Sequence, residues 1–464
     1  MELEFFGAAR EVTGSCHIVR CAGHQVLLDC GLIQGSRETE ARNAEPFPFD
    51  PAKIDAVVLS HAHIDHSGRL PLLVKRGFSG PIYAQNATAE LCEILLRDSA
   101  SLAQRDAEWQ NRKREEQGKP PVQPLYTMDD AIRATRNMQG MRYRTPREIL
   151  PGIKICFQDA GHIIGSTSVE VWLTEQDETR KIVFSGDLGQ YDTPILQDPA
   201  VIGDADVVLM ESTYGGRNHR DRQDTYDELG EIITTAEGRG NILIPAFAIG
   251  RSQELLYTLG KHYDAWHLDR WHIFLDSPMA IEATRVYWDY PHLYDDDATR
   301  LRNNKEDMPM LGNLHLTRSA EESMVINRLR NGGIILAGSG MCNGGRIIHH
   351  LRHNLERPEC HVVILGYQAN GSLGRRLVEG NEWVRIRGRE YAVRAKIHTL
   401  GGLSAHGDQD DLVRWFSSFG GNPALFLVHG EKDSALDLRR RFVSEGRQRV
   451  EVAKPGKVLD LVKF

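Results

Sequence analysis

The chain has 464 residues, too many for one ordinary hydrophobic core, and its 41% hydrophobic content excludes a disordered chain. Net charge is −8 with Lys and Arg scattered, which excludes nucleic-acid binding through a basic surface alone but not through a local groove and metal ions. Seven Cys without a CxxC pair argue against a disulfide framework and make a reducing cytoplasm the default, and the absence of any run of ~18 apolar residues predicts no membrane helix.

The N-terminus, MELEFFGAAR, has two acids before its first apolar pair and lacks the pattern of a signal peptide. Short apolar runs then recur, each ending in small or polar residues: QVLLDCG (25–31), AVVLSHAH (56–63), KIVFSGD (181–187), DVVLMEST (206–213), NILIPAF (241–247), GIILAGSG (333–340), HVVILGY (361–367) and ALFLVHG (424–430). Each reads as a buried strand that delivers a polar loop at its carboxyl end. Helical stretches such as Ser252–Gly260 and Ser319–Arg330 fall between them, so the class is α/β. Ser99–Pro124 is charged and polar and predicts a solvated helix followed by a loop. His349, His350 and His353 fall on a predicted helix and read as solvated.

The densest chemistry lies in SHAHIDHSG, Ser60 to Gly68, which places His61, His63, Asp65 and His66 within six positions after a clean β run. This is not the i, i+4 spacing of a helical HExxH site. A strand-to-helix loop can instead turn His61 and His63 toward one ion and Asp65 and His66 toward another. A second metal needs further ligands. His162 in DAGHIIG, Asp187 in VFSGDLG and His429 in LFLVHG are polar residues stranded at strand ends. Taken singly, each is as well explained by an ordinary turn or a satisfied strand-end residue.

Taken together, Asp29, then His61/His63/Asp65/His66, then His162, then Asp187 resemble the metallo-β-lactamase superfamily of zinc hydrolases. The resemblance implies two Zn2+ per chain, with Mn2+ able to substitute because His and carboxylate ligands suit both. It puts His61, His63 and His162 on the first metal, Asp65, His66 and His429 on the second, and Asp187 between them. Asp29 would orient ligands rather than bind. The bridging solvent would be the nucleophile, a chemistry that serves phosphodiesters, lactones, thioesters and peroxides alike.

The chain continues for 277 residues beyond Asp187. Glu211 in MESTYG, His406 in LSAHGD and His429 in LVHGE resemble the three extra motifs of the β-CASP branch, whose members are nucleases. IPAFAIGRSQELL, DSPMA, GSGMCNGGR and GYQANGSLGRRL are similar to pieces of its inserted domain. By that resemblance His406 protonates the leaving oxygen and Glu211 holds its ring, so His406, Glu211, Asp65 and Asp29 form the catalytic set. In that family a His in the third motif goes with RNA rather than DNA, and the HAHIDHSG form looks closer to the cleavage and polyadenylation specificity factor endonuclease than to ribonuclease J.

The expected architecture is an αββα sandwich, residues 1–212, interrupted by a β-CASP domain, 213–388, and completed by 389–464. The expected partner is single-stranded RNA, with no membrane; a homodimer is left open. Tyr214 is close enough to Glu211 in sequence to touch a phosphate or simply pack. Ser372, Arg375 and Arg376, after a glycine loop, are candidate RNA contacts, and the loops 338–340, 343–345 and 371–374 could offer backbone N–H groups to phosphates. Alternation at Arg385, Arg387 and Arg389 predicts three arginines on one strand face. A zinc hydrolase of small esters or thioesters, and a non-catalytic scaffold of an RNA-processing complex, are the competing readings.

Overall fold

A computed structural model of the chain describes residues 1–304, 311–366, 368 and 371–463. Tyr367, Ala369 and Asn370, within the GYQANGSLGRRL stretch, lie outside the described residues. The chain divides into two compact units, Met1–Asn218 with His406–Phe464, and His219–Ala405. No described helix is long and apolar enough to cross a membrane.

The first unit holds two seven-stranded sheets. In one, the hairpin strands Glu2–Gly7, Cys16–Cys21 and His24–Leu28 lead into the parallel strands Ala56–Val58, Ile82–Gln85 and Met138–Met141. In the other, the antiparallel run Arg147–Leu150, Ile153–Asp159, Thr167–Glu175 and Glu178–Phe184 is extended in parallel by Val207–Glu211 and Ala424–Val428. The last part of the chain completes both: Val450–Val452 joins Ala424–Val428, and Val458–Asp460 pairs antiparallel with Glu2–Gly7.

Period-two alternation builds the layers. Leu3, Phe5, Val19, Val26 and Val58 share one core with Ile155, Phe157, Val171, Phe184, Leu209 and Phe426, so the two sheets pack face to face. Their alternates Val183, Val208, Met210, Leu425 and Leu427 pack instead against Leu412, Trp415, Leu438 and Phe442 of the helices Gln409–Phe416 and Lys432–Ser444. Burial of each such side chain contributes about 1.5–3 kcal/mol. The fold is thus α/β, a two-sheet sandwich with helices outside and a second α/β unit inserted, as the sequence predicts. The solvated helix also forms, but as the tail of a longer one, Asn86–Glu116. Leu91, Cys92, Leu95 and Leu96 bury its first half, while Leu102 and Trp109 are exposed on its second.

The second unit is built on a six-stranded parallel sheet in the order Leu314–Leu316, His272–Asp276, Gly333–Ala337, Asn241–Pro245, His361–Leu365, Lys396–Leu400. Its central strands are apolar on both faces, as a parallel sheet covered by helices requires.

Two sequence expectations fail in this unit. Arg385, Arg387 and Arg389 do not share a strand face, because Trp383–Ile386 and Arg389–Ala392 form a hairpin whose turn is Arg387–Gly388, at φ 49° and 86°. Two successive left-handed residues give the tight turn that a two-residue hairpin needs. His350 is not solvated: it is fully buried, and its Nε2 lies 2.6 Å from Asp276 Oδ2. The helix Ile347–Asn354 turns Ile347, His350, Leu351 and Asn354 inward, and Asp276 supplies the polar partner that makes burying an imidazole tolerable.

Candidate metal centre

The strand ends of the first unit deliver one cluster. Asp29 follows His24–Leu28, and His61 and His63 follow Ala56–Val58. Asp65 and His66 sit on the short helix Ile64–Ser67. His162 lies in the turn between Ile153–Asp159 and Thr167–Glu175, where Gly161 and Gly165 take φ of 68° and 80°. Asp187 follows Glu178–Phe184, Glu211 ends its own strand, and His429 follows Ala424–Val428. His61, His66, His162, Asp187, Glu211 and His429 are each no more than 3% exposed. Asp29 and His429 carry φ of 60° and 47°, values that an L-residue adopts rarely and mostly where the surroundings force them.

Asp187 divides the cluster in two. Its Oδ2 lies 3.5 Å from His61 Nε2 and 3.6 Å from His162 Nε2, while its Oδ1 lies 3.2 Å from His66 Nε2 and 3.5 Å from His429 Nδ1. His63 Nδ1 is 3.1 Å from both His61 Nε2 and His162 Nε2. On the other side His66 Nε2 is 2.9 Å from His429 Nε2, and Asp65 Oδ2 is 3.4 Å from that same nitrogen. Two groups therefore converge, His61/His63/His162/Asp187 and Asp65/His66/His429.

These donors fit divalent cations. Tetrahedral zinc with bonds of about 2.0–2.1 Å sets neighbouring ligand atoms about 3.3 Å apart, close to the spacings here. The Asp187 Oδ1 is buried and, among the described residues, accepts no hydrogen bond. The carboxylates of Asp29, Asp65, Asp187 and Glu211 pair with histidines and, among the described residues, with no Lys or Arg. Buried negative charge of this density calls for cations.

The ring protonation agrees for His61 and His63. Burial holds His61 neutral, well below the ordinary imidazole value, and with help from neighbouring histidines lowers His63 to about 4. Neutral imidazole is the ligating form. His66 goes the other way: burial opposes its charge, but the carboxylates of Asp187 and Asp29 outweigh it. Burial likewise works against the Asp187 charge, which His429 and His66 above all sustain well below the ordinary carboxylate range.

Asp29 does not face the metal positions. It accepts from Ser60 N–H at 2.8 Å, Ser60 Oγ at 2.9 Å and Ser15 Oγ at 3.0 Å, and lies 2.7 Å from His66 Nδ1. Holding Nδ1 leaves His66 Nε2 for a cation. The chain around Asp29 also props the loop: Cys30 N–H donates to His66 O, and Leu32 N–H to Ile64 O, each at 2.8 Å. Gly31 permits this approach, since a Cβ there would stand 1.5 Å from the Asp65 carbonyl oxygen.

A third group adjoins the first two. His406 Nδ1 is 3.1 Å from Glu211 Oε1 and 3.8 Å from Asp187 Oδ2. Burial opposes its charge, but Glu211 and then Asp187 prevail and raise it to about 10, so the ring carries a proton to give. Tyr214 stands 6.1 Å from His406 between ring centroids, with Arg217 5.0 Å above its own ring.

The remaining predicted contacts lie in the second unit. Ser372 is buried as the N-cap of Leu373–Val378, its Oγ accepting from Arg375 N–H. Arg375 pairs with Glu379 at 2.7 Å, and Arg376 donates to the Gly371 carbonyl at 3.4 Å. In the loop from Gly338, the N–H groups of Ser339 and Cys342 are taken up internally by Gly344 O and Ser339 O. Sequence reasoning missed Ser15, Ser60 and Thr213, whose Oγ1 lies 3.1 Å from His429 Nδ1. The only signal for Ser60 and Thr213 was adjacency to His61 and nearness to Glu211.

Family models match most of the chain: a metallo-beta-lactamase superfamily model over residues 9–229, a Beta-Casp domain over 252–377, and a Zn-dependent metallo-hydrolase RNA specificity domain over 390–454. The chain is 40% identical to Ribonuclease TTHA0252 of Thermus thermophilus, over 98% of this chain and 99% of that one. It is 30% identical to an RNase J-like protein of Methanocaldococcus jannaschii, over 94% of each. It is also 30% identical to Transcription termination factor FttA of Methanosarcina mazei, over 93% of this chain and 67% of that one. A crystal structure of a protein of unknown function from Enterococcus faecalis shares the fold at a TM-score of 0.55 and 12% identity, over 99% of both chains.

Proposed function

The chain belongs to the metallo-beta-lactamase superfamily, in its β-CASP branch of RNA-processing nucleases, and from that membership we propose that it is a two-zinc ribonuclease that hydrolyses single-stranded RNA. The family and its named ribonuclease relatives carry the enzyme class, a metal-dependent hydrolase acting on RNA. The zinc, the count of two and the preference for a single strand are the proposal. One observation carries the count: the two oxygens of Asp187 are divided between two separate sets of ligating atoms.

Two cations held there would supply a solvent molecule of lowered pKa and neutralise charge on the phosphate. The rest is done by side chains. Asp187 joins the two halves and fixes their separation. Asp29 fixes the orientation of His66 through Nδ1. Glu211, fully buried, holds His406 Nδ1 and so presents Nε2 as the nitrogen that delivers a proton to the leaving oxygen. A fixed, charged imidazole removes the penalty of expelling an alkoxide.

The test is incubation of the purified protein with 5′-labelled and 3′-labelled single-stranded RNA, with and without chelator. The proposal expects chelator-sensitive cleavage of RNA and slower attack on blunt duplex. Turnover of a lactone or thioester with none of RNA would establish the small-ester reading instead.

A further inference from the structure

The loop joining the first two strands, residues 8–15, is hydrogen-bonded through its backbone to the segments that carry Asp65 and His429, and it holds an arginine that has no counter-charge among the described residues. Ala8 and Arg10 take φ of 48° and 68°, left-handed values that are sparse outside glycine and that cluster at functional sites. The backbone of the loop is tied to the second ligand group. His429 N–H donates to Ala8 O at 2.6 Å, Gly430 N–H to Glu11 O at 3.2 Å, and Ser15 N–H to Asp65 O at 2.9 Å. Arg10 therefore lies on a segment anchored to both Asp65 and His429.

The Arg10 side chain is half-buried, and its Nε is shielded from solvent with no hydrogen-bond partner among the described residues. Among the described residues no ion pair reaches it. Glu11, its sequence neighbour, is already held by Arg42 through two hydrogen bonds of 2.8 and 3.1 Å. A solvated surface arginine would leave Nε to water, and a structural one would have a carboxylate or carbonyl. A guanidinium is charged at any ordinary pH and has only donors, and among the described residues no carboxylate offsets this one, so its remaining N–H groups favour an incoming anion. Its planar fork matches phosphate oxygens in pairs.

We propose that Arg10 binds a backbone phosphate of the substrate strand on the Asp65–His429 side of the centre. This rests on RNA being the substrate. The residue is a binding group rather than a proton donor, so its removal acts on affinity first.

Arg10→Gln and Arg10→Lys are compared with the unaltered protein in three measurements. These are KM and kcat of the metal-loaded enzyme, zinc content with melting temperature, and RNA binding to chelator-treated protein by fluorescence anisotropy over a salt series. A set of 2′-O-methyl RNA strands, each with one phosphate replaced by neutral methylphosphonate, is bound in parallel. Arg10→Gln is expected to weaken RNA binding about tenfold or more, as loss of a charge-assisted pair does, with KM rising more than kcat falls. The slope of log affinity against log salt should drop by about 0.7, one phosphate contact on a single strand. One methylphosphonate position should weaken the unaltered protein as much as Arg10→Gln does and have no further effect in that variant. Arg10→Lys should recover part of the loss, and zinc content should not change.

An Arg10→Gln protein with unaltered affinity and salt slope overturns the proposal, as does a scan in which every position costs both proteins equally. Should Arg10→Gln not fold, Arg10→Lys in the same scan decides: a reduced cost at one position supports the contact, and no difference at any position refutes it. If the unaltered protein itself binds and cuts no RNA, the substrate reading fails, and the Arg10 contact falls with it.

Discussion

His406 Nδ1 and Glu211 Oε1 are 3.1 Å apart, and Glu211 has no exposed surface. The pair sits beside Asp187 but gives the proposed ions no necessary ligand, because the two other groups already supply four and three residues. His406→Ala should therefore keep both zincs and lose most RNA cleavage, about 10²–10⁴-fold, the usual worth of a general acid. Glu211→Gln should keep an aligned ring but weaken its charge, with a smaller loss in kcat and little change in KM. Zinc analysis beside the kinetics checks both; loss of zinc from His406→Ala would sink its role as an acid.

Asp29→Asn tests the bond to His66 Nδ1, 2.7 Å long. Asn tolerates the left-handed backbone at this position, where φ is 60°, so the change is electrostatic. Orienting carboxylates of this kind raise metal affinity about 10–100-fold. A chelator competition should find one of the two zincs weakened by that order, and equal retention of both would contradict the role.

Gly31→Ala tests the close approach between the Asp29 segment and the ligand loop. The added Cβ would overlap the Asp65 carbonyl oxygen at 1.5 Å, and that atom is backbone. Overpacking of this kind costs about 1–3 kcal/mol, and here it would shift the segment that carries Asp65 and His66. The variant should melt earlier and bind its second zinc more weakly, readable by calorimetry and metal analysis. Unchanged values in both would show that the loop can yield.

Asp276 makes a pH prediction in the second unit. Burial opposes its charge, but hydrogen bonds from His350, Ser323, Thr317 and Arg346 lower it to about 2. A depressed carboxyl contributes stability that is present above its unfolded value and lost as pH falls through the folded one. The window is therefore about pH 4 down to about 2, and the contribution is about 2 kcal/mol. Asp276→Asn should be less stable at pH 7, and the difference from the unaltered protein should shrink across that window in urea titrations. A constant difference would contradict the assignment.

Strand ends were the most legible feature. A run of buried residues that stops at Asp29, His61, Asp187 or His429 announces a polar side chain at the carboxyl edge of a sheet, and sheet topology brings those edges together. His162 was harder, since a turn between antiparallel strands gives no such announcement. Ser15, Thr213 and Arg10 were not legible. Their meaning depends on partners reached through space, as Ser15 meets Asp29 and Thr213 meets His429 216 residues away. His350 misled for the same reason, because the spacing of a helix shows its face but not that Asp276 waits beneath it. Arg387 misled because a two-residue turn and a strand position look alike when only alternation is read.

The central claim is that one carboxylate, Asp187, joins two metal positions, and metal content tests it most directly. The purified protein and Asp187→Ala are dialysed against a mild chelator and analysed by mass spectrometry for zinc and manganese. The account predicts two ions per chain in the unaltered protein and a loss at both positions in the variant. Two ions retained tightly by Asp187→Ala, or a single ion in the unaltered protein, would contradict it.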